Sequence, residues 1–381
     1  MAENAPAGAL AGLLVVTIEQ AVAAPMCTLR LADAGARVIK IERAEGDTAR
    51  HYDKAVKGTS AYFAWLNRGK ESAALDLKDP DDLAIVRRMV TKADVFVQNL
   101  APGASARLGL GAAELIQKHP RLIVVDIVGY GQDTAYRDMR AYDMLVQAES
   151  GICSVTGTPE TPSKVGVSIA DIGTGMNAHA AILEALIARE RTGCGQAIEI
   201  AMFDGMADWM AVPLLHLEYE GRETTRHGLS HAAIYPYAPY ACRDGEVVIA
   251  IQSPAEWRRF CEGVLGRPEL CTDPRFTDNP LRVKNREALD GELRAFFAEL
   301  TRDEAIARLE GQQIAWSRVS SVRDLAAHPA LRRIDVSLPD GEMFSAPCPA
   351  GRNGLGPAAV PGLGEHTAAI RAEFSAGSDV P

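Results

Sequence analysis

Asp171-Ile172-Gly173-Thr174-Gly175 puts a carboxylate at the head of a helix-like segment that runs to about Arg191, with two glycines just beyond it. The free backbone donors of a first helical turn favour an ionised carboxylate there, and glycines let a ligand approach the backbone closely. Such a group can cap the helix, as an aspartate before a helix ordinarily does, or attack an electrophilic carbonyl. Elsewhere, Arg43, Lys70, Arg107 and Arg140 offer guanidinium forks and an ammonium point charge suited to phosphates. Taken singly, each is better read as a solvated surface charge. Tyr142-Asp143 sets a phenol beside a second acid; the plain alternative is a core tyrosine before a helix-opening aspartate.

These residues need a scaffold, and the first two hundred positions supply an alternating one. Apolar runs at Leu13 to Thr17, Val38 to Ile41, Ser72 to Leu77, Asp94 to Gln98 and Arg121 to Ile127 read as strands. Between them, Pro25 to Ala34 has helical spacing, and Pro80 to Lys92 carries acids at its start and bases at its end, matching a helix dipole. The segment from about Asp171 to Arg191 reads as a long helix, followed by a strand-like stretch from Gln196 to Met202. Strands separated by helices imply right-handed crossovers and a parallel sheet covered on both faces, an α/β fold. Around Gly221 to Ser230 the chain turns polar and glycine-bearing, as a linker does. A smaller unit then opens at Gly245 to Gln252, with helices near Pro254 to Leu265 and Arg286 to Leu300 and a capping box at Thr301-Arg302-Asp303-Glu304. The expected division is 1–220 with 330–381 for the large domain and 221–329 for linkers and small domain.

Composition sets the outer bounds. The chain has 381 residues, 47% of them hydrophobic, enough for two or three domains with sizeable cores. A net charge of -10 with mixed signs and no basic block argues against a nucleic-acid partner. The seven cysteines are scattered without a CxxC pair, so neither a zinc knuckle nor a disulfide framework is indicated, and a reducing cytoplasm is the expected setting. The eight histidines are dispersed, so no metal site is expected. No stretch reaches the length of a membrane span, and the N-terminus runs directly into a strand rather than an export signal. Gly109-Leu110-Gly111 follows a helical stretch, not a strand, and is no dinucleotide fingerprint.

The ordered set of segments resembles the family III CoA-transferases, the group that also contains formyl-CoA transferase, carnitine CoA-transferase and the α-methylacyl-CoA racemases. The likeness is carried by Leu31 to Arg43 (LADAGARVIKIER), Leu66 to Ser72 (LNRGKES), Ala93 to Gly103 (ADVFVQNLAPG), His119-Pro120-Arg121-Leu122-Ile123, Ala141-Tyr142-Asp143, Val155-Thr156-Gly157, Asp171 to Gly175, Arg191 to Gln196 (RTGCGQ) and Leu363 to Thr367 (LGEHT). At His119 the family usually has asparagine. Together the segments cover essentially the whole chain.

The resemblance implies a Rossmann-like, doubly wound large domain built from both termini, a smaller inserted α/β domain, and two chains threaded as interlocked rings in a homodimer. It makes Asp171 the nucleophile of CoA transfer, with Tyr142 and Asp143 beside it. It assigns Gln20, Ala21, Val22, Arg43, Leu66, Lys70, Asn99, Leu100, Arg107 and Arg140 to coenzyme A. Acyl-CoA and a small carboxylic acid are the implied substrates, with no permanently bound cofactor. The racemases carry Gly-His-Asp where this chain has Ala141-Tyr142-Asp143, so the second base that proton transfer at an α-carbon needs is missing. An inactive CoA-binding relative is the remaining alternative. The long glycine run of the oxalate-using members has no counterpart near Leu229 to Arg243, which disfavours oxalate. Arg140, Arg226, His227 and His231 read as spare donors for a small dicarboxylate, such as succinate as donor with itaconate, mesaconate, malate or a glutarate as acceptor.

Overall fold

Six apolar runs become six parallel strands in the computed structural model, which describes residues 8–352 and 358–375. They are β1 (Leu14–Ile18), β2 (Arg37–Glu42), β3 (Glu71–Ala74), β4 (Val95–Gln98), β5 (Ile123–Val128) and β6 (Ala197–Ala201), in the order β3-β2-β1-β4-β5-β6. Valine and isoleucine dominate the central four, because a strand covered on both faces needs apolar side chains on both and β-branched residues pack well on a pleated surface. The third run is shorter than its apolar pattern, ending at Ala74 rather than Leu77.

Helices link the strands: α1 (Ala23–Asp33), α2 (Ala61–Asn67), α3 (Pro80–Lys92), α4 (Ala104–Arg107), α5 (Ala112–Lys118) and α6 (Asp143–Glu149). After a short α7 (Ile152–Val155) come α8 (Ile169–Thr192), α9 (Met202–Trp209) and α10 (Ala211–Glu220). The span of α3 is as the charge pattern predicts; Asp79 caps it by accepting the N–H groups of Asp81 and Asp82. α1 and α8 cover one face, where Ala24, Cys27 and Leu31 meet Val15, Val38 and Val95, and Ala178 and Ile182 join the same core. α3, α5 and the C-terminal helix Thr367–Glu373 cover the other, through Val86, Met89, Leu115 and Ile370. Each fully buried Val, Leu or Ile contributes on the order of 1.5–3 kcal/mol.

The strand order reverses between β1 and β4, so the loops leaving their carboxyl ends diverge and open a crevice. Gln20-Ala21-Val22 leaves β1 and Asn99-Leu100 leaves β4 at that point.

Two compact units divide the chain. The first holds residues up to Ser150, Val165–Ala211 and those from Arg332 onward; the second holds Gly151–Lys164 and Val212–Leu331. Relative to the expected boundaries, α7 with its flanks and nearly all of α10 belong to the second unit. That unit has an antiparallel sheet of Tyr237–Cys242, Gly245–Ala250 and Ala315–Ser317. Its core gathers Tyr240, Phe260, Phe276 and Phe297, and Thr301 with Glu304 forms the capping box the sequence predicts. The helix from Pro254 is α-helical to Arg259 and widens into a π turn through Leu265.

Candidate active site

Asp171 is the third residue of α8, not its cap; Ser168 holds the N-cap position and makes no capping bond with its side chain. The capping comes from another helix. Asp143, the first residue of α6, accepts the N–H of Ala170 at 2.8 Å and that of Asp171 at 3.4 Å through Oδ1. Its Oδ2 accepts Nε2 of Gln147 at 2.7 Å, and Gln147 accepts the N–H of Val165 in turn. The second acid of the sequence motif is thus held in place and positions the first.

The Asp171 carboxylate has no hydrogen-bond partner among the described residues. Burial, and then the charge of Asp143, push its pKa from 3.8 up to about 7. Desolvation beside a like charge disfavours the ionised form, which makes the carboxylate that remains above neutral pH a stronger base. Carboxyls so perturbed cluster at functional sites.

The glycines beyond Asp171 have a different reason from the one their sequence invites. A Cβ on Gly173 would stand 2.7 Å from the Trp209 ring, and one on Gly175 would stand 2.5 Å from the Ala23 carbonyl oxygen. Both are buried, and they let α8 approach α9 and the start of α1 rather than exposing backbone to a ligand. Ile172 packs against the cluster of Val22, Met26, Leu29 and Leu66, so the first turn of α8 lies against the loop that follows β1.

That loop is tightly tied. Asn99 accepts the N–H of Gln20 through Oδ1 and donates to the carbonyl of Gln20 through Nδ2, both at 2.9 Å. Ala21 has φ 64, the left-handed region, and its N–H is accepted by Asp47 Oδ1 at 2.9 Å. Beneath it lies a buried charge cluster. Lys40 Nζ bonds Asp47 Oδ2 at 2.5 Å and Asn67 Oδ1 at 2.9 Å, and Lys70 Nζ bonds Glu19 Oε1 at 2.7 Å. Burial, only partly offset by Glu19, lowers the Lys70 pKa to about 8.

The expected coenzyme ligands therefore divide. Gln20, Arg43 and Leu100 line one cavity of about 230 Å³ with Ile18, Ile41 and Leu77. Arg43 is exposed there, its Nε donating to the carbonyl of Gly46 at 3.1 Å. Arg107, at the end of α4, and Arg140 are exposed and in no ion pair among the described residues, as a phosphate-binding role requires. Lys70 does not fit the expectation: its ammonium is wholly enclosed by Glu19, Asn67 and the carbonyl of Pro25. Asn99 has both its amide atoms committed to Gln20, and Val22 and Leu66 contribute packing. Tyr142 is 68% exposed.

The spare donors proposed for the acid are mostly engaged. The Arg226 guanidinium donates to the carbonyls of Ser154, Thr158 and Pro159. His231 Nδ1 accepts the N–H groups of Ala233 and Ile234, and His227 lies between Thr225 and Arg286. Only Arg140 of that set remains unengaged among the described residues. What sequence reading missed is the cluster of Glu19, Lys40, Asp47 and Asn67; its signal was a lysine inside the apolar run Val38-Ile39-Lys40-Ile41 and an acid directly after β1.

Comparison with known proteins gives this geometry a family. The model of CoA-transferase family III matches residues 10–367. The chain belongs to that family. It is 36% identical to an acetyl-CoA:oxalate CoA-transferase of Acetobacter aceti, over 99% of each chain. It is 32% identical to a succinyl-CoA:glutarate CoA-transferase of Mus musculus, over 96% of this chain and 86% of that one. Among solved structures, a CAIB/BAIF family protein from Brucella suis superposes with a TM-score of 0.80 at 34% identity, covering 97% of this chain and 100% of that one. The enzyme class expected from the sequence, a CoA-transferase, is borne out, and the mixed α/β fold with its large parallel sheet accords with this family.

Proposed function

We propose that this enzyme moves CoA from an acyl-CoA, with succinyl-CoA a leading donor, to a small carboxylic or dicarboxylic acid, and that the Asp171 carboxylate is the nucleophile. The observation that carries the reading is an unpartnered, partly buried carboxylate whose pKa is raised to about 7 beside a second acid that holds its helix end.

The steps balance without a redox partner or metal. A carboxylate oxygen of Asp171 attacks the thioester carbonyl, the C–S bond breaks, and a mixed anhydride and CoA thiolate result. The thiolate attacks the carbonyl carbon of the Asp171 side chain, releasing the donor acid as its carboxylate and leaving an aspartyl-CoA thioester. The acceptor carboxylate attacks that thioester to form a second anhydride, and the thiolate attacks its acyl carbonyl. Acyl-CoA leaves and Asp171 returns to a carboxylate. Every nucleophile is an anion, so no general base is required. Arg43, Arg107 and Arg140 suit the phosphates of CoA, and no permanently bound cofactor enters the scheme.

The acid is read from the relatives rather than from the site. Besides oxalate and glutarate, two relatives carry mesaconate and D-citramalate in their names. The likeness to the oxalate enzyme weighs against setting oxalate aside on the missing glycine run. Itaconate, mesaconate, malate, glutarate and oxalate therefore form the acceptor panel.

A homodimer in the family's interlocked form belongs to the same proposal. α10 supports it: Leu214, Leu215, Leu217 and Tyr219 are 46–81% exposed, an apolar surface that a second copy would cover. A cytoplasmic setting is supported by seven free cysteines, and no helix among the described residues is long and apolar enough to cross a membrane.

The test is an exchange assay of acyl-CoA against the acid panel, run beside incubation with a 2-methylacyl-CoA in deuterated water. CoA exchange with ping-pong partial reactions and no wash-in at the α-carbon is expected. Enzyme-dependent wash-in without transfer to any acid would replace the transferase reading with the isomerase.

A further inference from the structure

The geometry points to Asp47 as a positioning residue: it holds the left-handed turn at Ala21, jointly with Asn99, so that the loop after β1 meets the first turn of α8 in the form the reaction uses. This rests on the reading of Asp171 as nucleophile.

Three observations combine. Ala21 has φ 64 without being glycine, a conformation in which Cβ crowds the backbone and which persists only when its surroundings enforce it. What enforces it is on both sides. Asn99, at the end of β4, grips the N–H and the carbonyl of Gln20. Asp47, 3% exposed, accepts the N–H of Ala21 through the same Oδ1 that accepts the N–H of Ala49. Asp47 is itself fixed: Lys40 binds its other oxygen, and its own N–H is accepted by Glu42 Oε2 at 2.9 Å.

The third observation is where the turn leads. Gln20 lines the cavity with Arg43 and Leu100, and Val22, two residues on, packs in one cluster with Ile172, the neighbour of Asp171. One strained residue therefore separates the wall of the candidate coenzyme cavity from the helix that carries the nucleophile. A turn relaxed into an ordinary conformation would displace the path between them. Because such a shift changes the approach of thioester to carboxylate more than the grip on CoA phosphates, it acts on kcat rather than KM.

The experiment uses full-length enzyme, with kcat and acyl-CoA KM measured for Asp47→Ala, Asp47→Asn, Asn99→Ala and Asp47→Ala combined with Ala21→Gly. Asp47→Ala should lower kcat about 30–100-fold and change KM less than about threefold. Asp47→Asn keeps an oxygen for the Ala21 N–H and should retain most of kcat, while its amide nitrogen, now facing the buried Lys40 ammonium, lowers stability. Glycine adopts φ 64 freely, so adding Ala21→Gly should recover at least about a fivefold part of the loss. If Asp47→Ala fails to fold, Asn99→Ala, which releases the same loop from β4, decides with the same kcat signature. A kcat within about threefold of the parent, a parallel rise in KM, or no recovery on adding Ala21→Gly overturns the assignment. Asp171→Ala is assayed alongside: if it also keeps exchange activity, the nucleophile reading fails instead, and the two failures are told apart.

Discussion

The floor and the rim of this site are built on opposite terms. On the floor, Glu19, Lys40, Asp47, Asn67 and Lys70 are almost completely buried, and each charge meets an opposite charge or a hydrogen-bond partner. The residues grouped here as the rim, Arg43, Arg107, Arg140 and Tyr142, are exposed, and among the described residues only Arg43 has a side-chain hydrogen bond, to a backbone carbonyl. Buried charges are tolerated only when paired, whereas an exposed, unpaired guanidinium keeps its donors for an anion. The difference separates residues that shape the site from residues free to bind in it. It also groups Lys70, which the family resemblance places among the coenzyme ligands, with the floor.

Breaking the floor should cost most. Lys40→Ala removes the counter-charge of Asp47 and part of that of Glu19, leaving acids buried and under-paired, and should destabilise the protein by about 3–5 kcal/mol. Chemical denaturation monitored by circular dichroism checks this; a loss under ~1 kcal/mol would erase the contrast between floor and rim.

Asp171, the proposed nucleophile, should show the opposite sign. The folded-state pKa of Asp171 is raised to about 7 from 3.8. Below about pH 4 the group is protonated whether folded or not, and nothing is lost; as pH rises through 7 the folded state must hold a partly buried anion. Asp171→Asn should therefore stabilise the protein by up to about 4 kcal/mol at pH 8 and have little effect near pH 4, while removing activity. Melting temperatures at the two pH values measure it.

Rim changes should act on binding alone. Arg43→Ala and Arg107→Ala should raise the KM for acyl-CoA about 10–100-fold, the loss of a charge-assisted contact of about 1.5–3 kcal/mol, with less effect on the acid. Equal effects on both substrates would make them structural. Smallest of all, Tyr142→Phe at an exposed site should shift stability by no more than about 0.5 kcal/mol, and a change in kcat above threefold would give its hydroxyl a part in the chemistry.

The same contrast explains what was legible in the sequence. Apolar periodicity located all six strands of the large sheet and the full span of α3, because local pattern and burial agree there. The strand order, and hence the meeting of Gln20 with Asn99 across 79 residues, is set by long-range packing that no window contains. Asp171 was found through its segment, but its position as the third helical residue depended on Asp143 capping α8 from another helix. Gly173 and Gly175 looked like openings for a ligand and are contacts between helices. Lys70 looked like a phosphate ligand because sequence gives charge without giving the acid it faces.

The most direct test of the central claim is peptide mass analysis after mixing the enzyme with acyl-CoA and quenching with hydroxylamine. Hydroxylamine converts an aspartyl anhydride or thioester to a hydroxamate, so the account predicts modification at Asp171, dependent on acyl-CoA and absent from untreated protein. An unmodified Asp171 in enzyme that is actively exchanging CoA, or the label on another residue, would contradict it.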